Sequence, residues 1–222
     1  ILRHPVERAI SGYFHYMKTG LLPIAPVEIG LPKILRGEFN EYPRAQDVLE
    51  FGLYAKHLQN YAEYFPRENI LVMLLEDMKQ DAKGQLAQLY GFLGVATEFH
   101  PGSFDSRPMK APYSITRLRL WDALDRHTRS WSSDGRYFVR ERGILKTPII
   151  AANNLLDRFI WSRLFAAERP RLLPELKQKL ISYYSQDAKC LEQWLGRKLT
   201  GWSDLTEFNS EMPTLGECNN LI

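Results

Sequence analysis

Cysteine is scarce: the 222 residues contain two, Cys190 and Cys218. They lack C-x-x-C spacing, so they point to neither a metal site nor a disulfide framework, and the expectation is two unpaired thiols in a reducing compartment. No apolar run approaches the roughly 18 to 20 residues needed to cross a bilayer, and the stretch from Ile1 carries no signal-peptide pattern. A Walker-type G-x-x-x-x-G-K-[ST] is missing, which argues against a nucleoside-phosphate kinase relative. Charge of one sign is thin as well. A net formal charge of +3 falls short of the basic stripe expected of a nucleic-acid binder, but suits a small anionic ligand. Apolar content of 45% and charged content of 25% are ordinary for a globular domain.

What is present reads first as alternating strand and helix. The chain opens on Ile1, not Met, and Ile1-Leu2 read as the tail of a strand already under way, so a truncated start is expected. His4-Pro5 makes a turn, with Pro5 suited to the first helical position. Val6, Ala9, Ile10, Tyr13, Phe14 and Met17 then recur at helical spacing up to Gly20. Residues 20–47 hold Pro23, Pro26, Pro32 and Pro43 and read as a long loop. Helical spacing returns over 47–65, and Pro66 ends it. Residues 70–75 are an unbroken apolar run, as in a strand buried on both faces of a parallel sheet. A helix over 83–93 ends at Gly94. Beyond residue 100 the pattern predicts helices over 114–126, 148–167 and 171–197, with no convincing strand. The expected organisation is one α/β domain over 1–202, helix-rich in its C-terminal half, and a loosely ordered polar tail over 203–222.

The chemistry-bearing string is Leu2-Arg3-His4-Pro5-Val6-Glu7-Arg8-Ala9-Ile10-Ser11-Gly12-Tyr13. Arg3 falls at the carboxyl end of a strand, where ligands bind in α/β sheets, and Ser11 lies two turns into the next helix. A guanidinium and a hydroxyl so spaced can converge on one anion near a helix N-terminus. The bland alternative pairs Arg3 with Glu7 and back-bonds Ser11 to its own helix. Glu76 and Asp77, at a strand-to-helix junction, read as capping carboxylates. His15 and His57 read as packed or surface histidines rather than catalytic ones, Tyr54 as a core residue or one facing the substrate cleft, and the five tryptophans as core.

The string resembles the 3′-phosphate motif of sulfotransferases, in which Arg and a Ser eight residues later grip the 3′-phosphate of PAPS (3′-phosphoadenosine 5′-phosphosulfate). Gly52-Leu53-Tyr54, Tyr64-Phe65-Pro66, Ile70-Leu71-Val72, Glu76-Asp77-Met78 and Phe92-Leu93-Gly94-Val95 follow the family's order and spacing. Further on, Pro174-Glu175-Leu176, Tyr183-Tyr184, Asp187, Leu195-Gly196-Arg197 and Trp202 look like the C-terminal helix of bacterial-type members. Leu75 stands where cytosolic members carry a Tyr, which is closer to carbohydrate-type and bacterial members.

The resemblance implies a P-loop-like three-layer fold with a parallel sheet and sulfuryl transfer from PAPS to a hydroxyl or amine, without a metal. Arg3 and Ser11 would bind the cofactor. Arg140 and Arg142 would complete the 3′-phosphate site in place of the family's late basic loop, with Arg136 and Lys146 nearby; a solvated basic loop is the alternative. The family's Lys-containing 5′-phosphosulfate loop and its catalytic base are expected upstream of Ile1, which leaves the catalytic residues unknown. A non-catalytic interaction or nucleotide-binding module is the rival reading. The acceptor would be a small molecule, carbohydrate or lipid. A cytoplasmic location is expected, with a Golgi lumenal domain as the alternative.

Overall fold

The computed structural model describes all residues except 40, 100, 103–112, 134–135, 142, 168, 209–217 and 219–222. In chain order the elements are α1 (Pro5–Thr19), α2 (Val27–Leu35), α3 (Asp47–Glu50), α4 (Tyr54–Ala62), α5 (Leu75–Gln80), α6 (Ala82–Phe92) and α7 (Ile115–Asp125). A short hairpin follows, β1 (Arg129–Trp131) and β2 (Phe138–Arg140). Then come α8 (Lys146–Leu156), a π turn at Asp157–Trp161, α9 (Ser162–Leu164), α10 (Pro174–Leu195) and α11 (Ser203–Thr206). No helix of the described residues is long and apolar enough to cross a membrane. The chain divides into two compact units: Ile1–Arg8 with Phe51–Met109 and Gln178–Ile222, and Ala9–Glu50 with Lys110–Lys177.

In the first unit the expected parallel pairing is present, but as a single bridge. Leu2 pairs with Leu74 in parallel, Leu2 N–H donating to Met73 O at 2.8 Å and Leu75 N–H to Leu2 O at 2.7 Å. Residues 70–73 form no further ladder with a partner strand among the described residues. The long C-terminal helix supplies much of this unit's core: Leu180, Ile181, Tyr184, Ala188 and Leu191 are buried, at the i, i+4, i+7 spacing of one helix face. Trp202 and Leu205, beyond this helix, are fully buried.

The cysteine reading is corrected here. Cys190, on α10, and Cys218 form a disulfide with a Cα–Cα distance of 5.5 Å. A sequence separation of 28 has no local signature, so spacing could not reveal it; α10 presents Cys190 on its buried face, where Cys218 reaches it.

In the second unit, residues 20–47 are not one loop. Val27, Gly30, Leu31 and Ile34 are buried along α2, an i, i+3, i+4, i+7 stripe outweighed in the sequence by the proline count. Pro26 stands at the N-cap, and Pro32 inside the helix forfeits one backbone hydrogen bond. Gly30 is required by close packing. A Cβ there would lie 1.8 Å from the Tyr13 hydroxyl, which donates to Ala25 O at 2.9 Å. Burial, with Glu28 adding to it, pushes the Tyr13 phenol up. Gly30→Ala should therefore destabilise the protein by about 1–3 kcal/mol, measured by urea unfolding; an unchanged midpoint would show that the two helices yield freely.

The antiparallel β1–β2 pair, with Arg129 opposite Arg140 and Trp131 opposite Phe138, was not expected from the sequence. Its strands are three residues each, too short for alternation to register. Aromatic stacking supports it: the Trp131 and Phe138 rings lie 3.9 Å apart. Arg129 is held by Asp122 and, at 3.3 Å, by Asp125.

Candidate functional site

The strand-to-helix turn at Arg3-His4 is fixed through its backbone. The Arg3 carbonyl accepts from the Tyr54 hydroxyl at 2.8 Å, and the His4 N–H donates to Glu76 Oε1 at 3.1 Å. Both polar atoms of a single peptide unit are thus anchored to side chains from two distant segments. His4 is buried, with Nε2 2.9 Å from Asp204 Oδ1, and its ring stands edge-on to Trp202 at 5.9 Å. Trp202 also contacts Tyr54, ring centroids 5.8 Å apart. Burial pushes the Tyr54 phenol up to about 12, against the pull of its bond to Arg3, so it stays a donor across ordinary pH.

Beyond this frame the Arg3 side chain reaches outward, 30% exposed. Glu7 Oε2 lies 3.9 Å from it, an ion pair outside hydrogen-bond distance. The first helical bond of α1 runs from Arg8 N–H to His4 O at 2.9 Å, so the positive end of the helix dipole lies next to Arg3. On α1, Ser11 is partly exposed along with Glu7, Arg8, Gly12, His15 and Lys18. It follows Glu7 by one turn, about 6 Å further along the axis. The Ser11 hydroxyl has no hydrogen-bond partner among the described residues, contrary to the back-bonding alternative. Arg3 and Ser11 therefore both present polar groups not tied up by strong internal bonds, as an anion ligand would need.

Arg140 ends β2 opposite Arg129; its side chain and the whole of Arg142 lie outside the described residues. Lys146 is committed to Glu141. Among the described residues no group of three or more His, Cys, Asp or Glu side chains could hold a metal ion.

The support for this frame includes a residue whose role the sequence did not reveal. Asp187, on α10, accepts from the backbone N–H of Ala55 and of Lys56, each at 3.0 Å. It caps α4 from across the sequence, where the local N-cap position, Leu53, offers no side-chain acceptor. Burial pushes the Asp187 carboxyl up from 3.8 to about 6, with the backbone donors of Lys56, Ala55 and Tyr54 and the charge of His57 pulling it down. Gly52, just before α4, faces Tyr184: a Cβ there would lie 2.7 Å from the ring. Gly52, Tyr54 and Glu76 are thus accounted for by what they touch.

A strand-end arginine held by a backbone-anchored turn, with a partly exposed serine two turns into the following helix, is the arrangement to set beside known proteins. Residues 1–109, just under half of the chain, match the family model described as sulfotransferase domain, and over this segment the chain is similar to sulfotransferases. It is 30% identical over 95 residues to sulfotransferase 2A6 of Mus musculus, covering 42% of this chain and 30% of that protein. It is 32% identical over 107 residues to heparan sulfate glucosamine 3-O-sulfotransferase 6 of the same organism, covering 45% and 29%. The matched stretch thus spans less than a third of these curated relatives. A crystal structure of a sulfotransferase from Alicyclobacillus acidocaldarius superposes with a TM-score of 0.53 at 20% identity, over 90% of this chain and 55% of that one. That likeness extends the fold assignment beyond residue 109.

Proposed function

We propose that the protein transfers a sulfuryl group from PAPS to a hydroxyl or amine, with Arg3 and Ser11 holding the cofactor's 3′-phosphate. The observation carrying this reading is the doubly anchored Arg3-His4 peptide, which leaves the Arg3 guanidinium 30% exposed with Glu7 at 3.9 Å. In such a reaction the bond between sulfur and the phosphate's bridging oxygen breaks and one from sulfur to the acceptor oxygen or nitrogen forms. The acceptor's proton passes to a base, and PAP departs. Positioning and charge stabilisation supply most of the rate. The Leu2–Leu74 bridge supports a parallel, P-loop-like sheet as the frame of this site. Arg140 and Arg142 rest on the resemblance alone and are not carried into this reading.

A carbohydrate is the acceptor class we favour, supported by the likeness to a relative named for heparan sulfate glucosamine. The disulfide favours an oxidising compartment such as a secretory lumen over the cytoplasm.

The test is calorimetry with PAP together with labelled sulfate transfer from PAPS to sugars, phenols and lipids. Arg3→Ala should weaken PAP binding tenfold to a hundredfold, the loss of a charge-assisted contact of about 1.5–3 kcal/mol. Equal affinities would remove Arg3 from the site, and PAP binding without transfer to any acceptor would reduce the protein to a nucleotide-binding module.

A further inference from the structure

Residues 144–164 form a surface that the proposed chemistry does not use. Ile144 and Leu145, at the entry to α8, are 93% and 82% exposed. From there apolar residues continue on the outward side of the helix: Pro148, Ala152 and Leu155 are all exposed, at alternating steps of three and four that keep one face. A straight α-helix would rotate the next residues away from this line. Instead the π turn intervenes, its ring closed by Ser162 N–H to Asp157 O. A five-residue step leads from Leu155 to Ile160 and a four-residue step on to Leu164, which are 44% and 71% exposed.

The opposite side is fastened. Asn153 is buried and donates to Trp121 O at 3.1 Å, and Asp157 receives Arg117 at 2.5 and 2.7 Å. Asp157 is the sole acidic residue between 144 and 167, and Arg117 neutralises it on the inward side. The exposed charges are Arg158, stacked over the neighbouring Phe159 at 5.4 Å, and Arg163. An apolar stripe fringed by arginines and clear of acids matches an interface of acyl chains beneath anionic headgroups. A protein partner with an apolar groove would not require the acid-free fringe, and a sulfated polysaccharide would not require the stripe.

We propose that this face of α8, the π turn and α9 lies on the surface of a bilayer containing anionic phospholipid. The test is flotation of the protein with phosphatidylcholine vesicles made with and without phosphatidylserine. Wild type should float with the anionic vesicles and bind neutral ones at least roughly tenfold less. Leu155→Ser with Ile160→Ser should lose roughly tenfold or more, and Arg158→Glu with Arg163→Glu a similar factor; all four side chains are exposed, and circular dichroism melts should match wild type. The proposal is overturned if wild type stays with the unbound protein, or if the serine variant floats as wild type does. It is also overturned if sedimentation shows a dimer that the serine changes dissociate while flotation is absent, since the stripe then belongs to a second copy.

Discussion

Asp187→Ala is expected to shift the urea unfolding midpoint down with an unchanged slope, by about 2–4 kcal/mol. The carboxylate accepts from two backbone donors at the start of α4, one of them buried, and losing the acceptor leaves each without its partner at about 1–3 kcal/mol. Its pH dependence has a definite sign. The folded carboxyl takes up its proton at about 6, above its value in the unfolded chain near 4. Its contribution is therefore fully present below about pH 4 and declines as pH rises through 6, over a range on the order of 3 kcal/mol. Wild-type stability should fall across that window relative to Asp187→Ala, which cannot titrate there. A variant that unfolds at the wild-type midpoint would show that Asp187 does not support α4, and a difference flat from pH 4 to 7 would show that its carboxyl is not pushed up on folding.

Reduction of the Cys190–Cys218 bond should cost a comparable amount. The bridge closes a loop with a separation of 28 residues, for which chain-entropy arguments give roughly 3.5 kcal/mol. Protein prepared without reductant should show no titratable thiol, and dithiothreitol should lower its unfolding midpoint. Cys218→Ser should unfold at that lower midpoint with or without reductant. Two titratable thiols in untreated native protein would contradict the pairing.

The sequence carried the periodic elements well and the paired ones poorly. Helices such as α6, α7 and α10 fall within a few residues of their apolar spacing, because one helix face must be apolar to be buried. The strand expected over 70–75 reduces to one bridge at Leu74, because pairing is decided by a partner segment and not by the run itself. The hairpin at 129–140 was invisible for the complementary reason: three residues per strand cannot show a period of two. Over residues 20–47 the four prolines masked the helical stripe of α2, since Pro26 and Pro32 occupy positions that a helix tolerates or merely bends around.

The candidate site divides similarly. Arg3 and Ser11 were legible as a spacing that resembles a known motif. Tyr54 and Glu76 were legible as motif members, but not as the two anchors of the Arg3-His4 peptide, because backbone hydrogen bonds leave no pattern in side-chain order. Asp187 was one polar residue on a long amphipathic helix. Its burial against the start of α4 follows from three-dimensional packing alone.

The anchors of the Arg3-His4 turn lie 51, 72 and 200 residues away along the chain, at Tyr54, Glu76 and, through His4, Asp204. Helix α1 needs only its neighbours to form, whereas the turn that feeds it depends on contacts far apart in sequence. Such contacts close late, after their loop entropy has been offset by other structure. Recovery of PAP affinity during refolding should therefore lag behind recovery of helix signal. A phosphate site built on this turn, as proposed, would report on a late step of assembly, and a ligand that binds only the finished form would hold the segment at His4 against the one at Asp204.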